Sequence, residues 1–86
     1  MNSLANDSNR RRILLVDDDP TLRETLAEQL GFHEEYTVSE AENGSEAMKL
    51  AYADHFDAIV LDVGLPDMDG RDLCKLMRRR GLKAPI

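Results

Sequence analysis

Two short apolar runs, each closed by aspartate, set the tightest limit on what this chain can fold into. Ile13-Leu14-Leu15-Val16 stops at Asp17-Asp18-Asp19, and residues 58–61, within a third strand expected over 56–61, stop at Asp62. A strand with one wet face alternates apolar and polar residues, whereas a continuous apolar run suits a strand covered on both faces, as in parallel sheets. Helix signals separate the runs. Asp19-Pro20 opens the first helix, with Asp as N-cap and Pro in the first turn. Leu22, Leu26 and Leu30 recur every four residues, and Gly31 stands where a C-cap belongs. Tyr36-Thr37-Val38-Ser39 alternates and reads as a second strand. Asn43-Gly44 marks a turn, Ser45 is the expected cap of a second helix, and Ala47, Leu50 and Ala51 form its apolar stripe. Residues 64–70 read as a loop and 71–80 as a third helix, with Leu73, Leu76 and Met77 inward. Arg78-Arg79-Arg80 complements that helix's dipole, and Gly81 ends it. Ala84-Pro85-Ile86 reads as the start of a fourth strand. The order βαβαβαβ predicts a parallel sheet with right-handed crossovers.

Length and charge narrow the function. With 86 residues the ceiling is one domain, and a chain this short buries only about 60% of its unfolded surface. Residues 1–11 read as a disordered N-terminal tail, polar and aperiodic over the first nine, and residues 12–86 as the domain. The net charge of -6 argues against nucleic-acid binding by this segment. Arg10-Arg11-Arg12 reads as a solvated run flanking a strand. No apolar stretch approaches the roughly 20 residues needed to cross a bilayer, so no membrane role is expected. The start has no secretory h-region. A single cysteine, Cys74, excludes an internal disulfide, and it reads as a small apolar helix residue. These features predict a cytoplasmic protein.

The chemistry lies in the acids. Asp17 and Asp18 follow the first strand and Asp62 follows the third. In open α/β sheets the ligand crevice lies beyond the carboxyl ends of the strands, at the switch in strand order. In the flavodoxin-like order, strands one and three are neighbours there, so these acids should share one pocket. Clustered carboxylates repel, and a shared proton or a bound cation relieves the strain. A small set of hard oxygen ligands suits Mg²⁺. A carboxylate can also attack phosphorus and form an aspartyl-phosphate, with catalysis resting on positioning and charge neutralisation. Asp19 reads as an N-cap rather than a ligand. Asp67 and Asp69 read as solvated loop acids, and His33 and His55 as surface residues.

Residues 13–20 resemble the first strand and acidic pocket of response-regulator receiver domains of two-component signalling. Leu61-Asp62-Val63-Gly64-Leu65-Pro66-Asp67-Met68-Asp69-Gly70 resembles their phosphoacceptor strand and loop. The Asp pair together with Asp-x-x-x-Pro-x-x-Asp-Gly is a specific combination. The resemblance implies a flavodoxin-like (CheY-like) doubly wound parallel sheet. It implies Asp62 as acceptor of a phosphoryl group from a histidine kinase, which switches an output domain or partner protein. It implies Mg²⁺, or Mn²⁺ in its place, held by Asp17, Asp18, Asp62 and the backbone carbonyl of Gly64. Pro66 and Gly70 would shape the loop, Gly70 through a backbone geometry other residues resist. Gly64, two places beyond the acceptor, offers no side chain to position or exclude water. Such a domain is a signalling module, catalysing only its own phosphorylation and dephosphorylation when complete. Residues 62–75 look most like receivers attached to winged-helix DNA-binding domains, which suggests transcription as the output.

The same resemblance implies five strands and five helices, whereas this sequence reaches only the start of strand four. The expectation is a receiver truncated there, or one piece of a longer chain. The family's Ser or Thr after strand four, its Lys after strand five and its aromatic switch residue fall outside. An uncovered apolar strand edge recruits another strand, so an isolated 86-residue chain is expected to self-associate. Other readings remain. Asp17-Asp18-Asp19-Pro20-Thr21 also resembles the Asp-x-Asp-x-Thr opening of haloacid-dehalogenase phosphatases, with Asp17 as nucleophile and Asp19 as acid/base. Asp67-Met68-Asp69-Gly70 resembles part of an EF-hand loop, although Leu65 and Leu76 occupy ligand positions. A fourth reading is a receiver used only for contacts.

Overall fold

A computed structural model describes residues 10–86. Its elements are β1 (Arg11–Val16), α1 (Pro20–Gly31), β2 (Tyr36–Ala41), α2 (Gly44–Ala53), β3 (Ala58–Leu61) and α3 (Gly70–Arg79). The three strands form one parallel sheet in the order β2-β1-β3. β1 is therefore central, and its continuous apolar run is buried from Ile13 to Val16, as a strand covered on both faces requires. Val16 pairs with Ala41 on one side and Leu61 on the other, so all three strands end at one level. That arrangement is the switch-point order expected of the flavodoxin-like class.

The two faces of the sheet are covered unequally. On one, Leu14, Val16 and Ile59 pack with Ala47 and Ala51 of α2 and Leu73 and Met77 of α3. Phe56 and Leu65 close the ends of this core. On the other face α1 stands alone. Asp19 caps it as expected, Oδ1 accepting from the N–H groups of Thr21 (3.0 Å) and Leu22 (3.2 Å). Its leucine stripe is not buried, since no second helix packs beside it among the described residues, and Leu22 is 47% exposed. Leu26, Leu30, Leu15 and Val60 line an open groove of ≈ 330 Å³. Among the described residues, no helix is long and apolar enough to cross a membrane.

Several local expectations are corrected. β1 begins at Arg11, one residue inside the stretch read as tail, because the Arg11 N–H reaches the Glu35 carbonyl and Arg11 pairs with Tyr36. Residues 1–9 of that expected tail lie outside the described residues. β3 starts at Ala58, the first residue in register with β1. Phe56 is buried instead beneath the Arg12 guanidinium, 5.7 Å from the ring centre. Among the described residues β3 pairs with β1 alone. Residues 84–86 form no strand, but the Ile59 N–H donates to the Pro85 carbonyl at 2.8 Å, a single rung on that edge. Asn43 rather than Ser45 caps α2, its side-chain oxygen accepting from the Glu46 N–H at 2.8 Å. Gly31 is the last residue of α1, not its cap, and Phe32 follows in right-handed conformation. Gly81, at φ 92°, does the left-handed work after α3.

Candidate functional site

The level strand ends bring three acids together. Asp17 and Asp18 continue from β1 and Asp62 from β3, and one carboxylate oxygen of each lies within 4.8 Å of the others. The backbone fixes two of them. The Asp17 N–H donates to Ala41 at 3.1 Å and the Asp62 N–H to Val16 at 2.9 Å, so each is one rung beyond its strand. Asp17 is 8% exposed, and its Oδ1 accepts from the Asp19 N–H at 2.9 Å. Asp18 is exposed and Asp62 half-buried. Asp17 thus forms the floor of the cluster and the other two its open side. No cation of the chain pairs with these carboxylates among the described residues. Three hard oxygen donors brought this close fit a small divalent cation such as Mg²⁺.

The loop beyond Asp62 is stapled at both ends. Gly64 forms a bridge with Asp69, and the Gly70 N–H donates to the Val63 carbonyl at 2.8 Å. A Cβ built on Gly64 would stand 4.0 Å from Asp62 Oδ2, which places Gly64 beside the acceptor candidate. Gly70 is needed for space rather than dihedral freedom: its φ is not positive, and its Cα packs on the Asp62 main chain.

Asp67 is exposed and Asp69 half-buried, as loop acids should be, but both carboxylates are also bonded to the fold. Asp67 reaches 23 residues back and accepts from the N–H groups of Gly44 (2.8 Å) and Ser45 (2.9 Å), closing the start of α2. Those two bonds hold its carboxyl below the usual range. Asp69 caps α3, accepting from the Arg71 N–H at 2.8 Å and from the Arg71 guanidinium at 3.0 and 3.2 Å. The guanidinium bond, then the backbone bond, lowers its pKa. Asp69 was legible, since Asp is a preferred N-cap and stands just before the helical pattern of residues 71–80. Asp67 carried no local signal, because its partners lie across the fold.

These placements remove two competing readings. Asp19 is spent on the helix cap and stands outside the acid cluster, so Asp17 has no neighbouring acid/base of the phosphatase kind. Asp67 and Asp69 are spent on two different helices, which leaves no calcium loop. His33 and His55 are exposed as expected, the first edge-on to Tyr36 and the second 3.3 Å from Asp57. Cys74 is half-buried and unbonded.

Comparison with known proteins agrees with this geometry. Residues 13–86 match the family described as response regulator receiver domain. The response regulator MprA of Mycolicibacterium vanbaalenii is 45% identical over 75 residues, covering 87% of this chain and 32% of MprA. The chain thus spans about a third of the length of such relatives. Among solved structures, the response regulator TrrA of Thermotoga maritima in complex with Mg²⁺-BeF is 38% identical, with TM-score 0.77, over 83% of this chain and 61% of that one. TrrA in complex with the histidine kinase ThkA is similar, at 38% identity and TM-score 0.79, over 86% of this chain and 63% of TrrA. A parallel sheet with its acids at the β1/β3 switch, and a family match across nearly every described residue, lead to one conclusion: the chain belongs to the response regulator receiver domain family.

Proposed function

We propose that Asp62 accepts a phosphoryl group from the phosphohistidine of a histidine kinase, and that residues 12–86 form the receiver portion that carries it. The observation behind this is the convergence of Asp17, Asp18 and Asp62 to within 4.8 Å from two strands. A carboxylate oxygen of Asp62 attacks phosphorus, the P–N bond to the donor imidazole breaks, and the product is an acyl phosphate. Asp62 suits this role better than Asp17, because it is half-buried on the open side, whereas Asp17 is buried and bonded to Asp19.

Asp17, Asp18 and Asp62, with the backbone carbonyl of Gly64, would hold Mg²⁺ or Mn²⁺. When bound, the ion supplies Lewis-acid neutralisation of the phosphoryl charge. The protein's own share is positioning: the ladder bonds of Asp17 and Asp62 fix where attack occurs. Gly64 places no side chain beside Asp62, which leaves water a path for dephosphorylation. The domain's catalysis is confined to its own phosphorylation and its reversal. A histidine kinase is the expected partner, as ThkA is for TrrA. An output domain or protein, with transcription as the readout, is the expected recipient of the signal, in the cytoplasm. In the full-length protein Asp62→Ala should abolish labelling by acetyl phosphate or by the kinase, and wild-type label should be lost in alkali. Label persisting on Asp62→Ala would show that another residue is the acceptor.

A further inference from the structure

Asp17 is held at three points. Its N–H bonds the sheet, its carboxylate bonds the Asp19 N–H, and its carbonyl accepts from Nη1 of Arg23 at 2.8 Å. The third hold comes from α1. Arg23 lies in its first turn, where its own N–H donates to the Asp19 carbonyl at 2.9 Å. The Arg23 side chain is only 14% exposed, and its Nε donates to Glu40 Oε1 at 3.1 Å. Glu40 sits on β2 next to Ala41, the residue that receives the Asp17 N–H. One guanidinium therefore ties α1, the end of β1 and β2 together at the acid cluster.

The choice of partners is informative. A cation near three carboxylates gains most, by Coulomb's law, from bonding one of them. Arg23 instead takes the main-chain carbonyl and Glu40, and leaves the cluster's carboxylates without a cationic side chain among the described residues. A largely buried guanidinium is stable only where its hydrogens are placed. Arginine meets two acceptors with a rigid planar fork, which a lysine ammonium on a flexible stem does not reproduce. We infer that Arg23 is a positioning residue: it fixes the peptide between Asp17 and Asp18 so that both carboxylates face a divalent cation, and Glu40 holds its plane. This inference rests on the metal reading of the cluster given above.

Charge and positioning act with opposite signs, which makes the inference testable. As a mere positive charge, Arg23 opposes cation binding, so its removal should tighten Mg²⁺. As a positioning residue it assists, so its removal should weaken Mg²⁺. The experiment is calorimetric Mg²⁺ titration of the full-length protein without phosphoryl donor, with metal-free thermal unfolding as a check of folding. Arg23→Lys, which keeps the charge, should weaken Mg²⁺ about tenfold, the scale seen when residues that orient metal ligands are changed. Arg23→Ala should weaken it at least as much, and Glu40→Gln, which keeps an acceptor, should weaken it less. Wild-type affinity in Arg23→Lys, or tighter binding in Arg23→Ala, would overturn the inference. So would a lowered thermal midpoint with unchanged Mg²⁺ affinity. If Arg23→Ala does not fold, Arg23→Lys decides alone. A wild type that binds no Mg²⁺ defeats the metal reading itself, whereas a binding wild type with unaffected variants defeats only the role of Arg23.

Discussion

A Cβ placed on Gly70 would lie 2.2 Å from the carbonyl oxygen of Asp62 and 2.9 Å from the Cα of Val63. Both obstacles are main-chain atoms, so no side-chain rotation relieves the clash. Gly70→Ala should force the 62–63 segment to move, and the Asp62 carboxylate with it. We predict a loss of about 1–3 kcal/mol of stability, the usual cost of overpacking, together with weaker Mg²⁺ binding. Denaturant unfolding and metal titration on the same variant check both. A Gly70→Ala protein of wild-type stability would show that the loop gives way at no cost.

Asp18 is the exposed member of the acid cluster. Asp18→Ala should weaken Mg²⁺ by on the order of tenfold or more, because the charge of the ligand set tunes divalent affinity. It should weaken binding more than Arg23→Lys does. Equal affinity in wild type and Asp18→Ala, measured by isothermal titration, would remove Asp18 from the site.

Asp67 links acidity to the integrity of the loop. Its carboxyl is held below the usual range by the Gly44 and Ser45 N–H bonds. A carboxyl with a depressed folded pKa contributes stability above its unfolded pKa, and that contribution is lost as pH falls through the folded value. From about pH 4 downward, wild type should therefore lose stability faster than Asp67→Asn. At pH 7 the order should reverse, with wild type the more stable. Thermal midpoints recorded between pH 7 and pH 3 test this, and parallel curves for the two proteins would count against it.

Leu73 is completely buried between α3 and the sheet. Leu73→Ala should cost about 2–5 kcal/mol, through lost transfer energy and a residual cavity. Chemical denaturation reads this directly. A cost under about 1 kcal/mol would mean that the core closes around the gap.

The groove between α1 and β3 leaves Val60 48% exposed beside Leu26 and Leu30. We expect the 86-residue chain, produced alone, to self-associate through this face and the β3 edge. Val60→Lys should shift it toward monomer. Sedimentation showing a monomeric wild type at all concentrations would remove the prediction.

Much of the site was legible because chemistry and patterning coincided. The apolar runs at 13–16 and 58–61 each end at an acid, and parallel strands bring such ends to one level. Convergence of Asp17, Asp18 and Asp62 follows once β1 and β3 are neighbours, as the flavodoxin-like order has them. What stayed hidden depended on distant partners. Nothing near Asp67 in sequence announces Gly44 and Ser45, and nothing near Arg23 announces the Asp17 carbonyl or Glu40. Periodicity showed that α1 has an apolar face but not what meets it, and Leu22 on that face is exposed. Glycine identity alone did not separate Gly31, an ordinary helical residue, from Gly81, which needs a left-handed backbone.

The ladder bonds from Asp17 to Ala41 and from Asp62 to Val16 also set a timescale. Both bonds are end rungs on the central strand, so solvent exchange at either amide requires β1 to part locally from β2 or from β3. The two acids therefore cannot breathe independently of β1. A cation or a phosphoryl group bound as proposed above would meet a frame held by these two sheet bonds. Any movement that carries news of its arrival has to begin in the side chains and in the loop after Asp62, where the backbone has left the sheet.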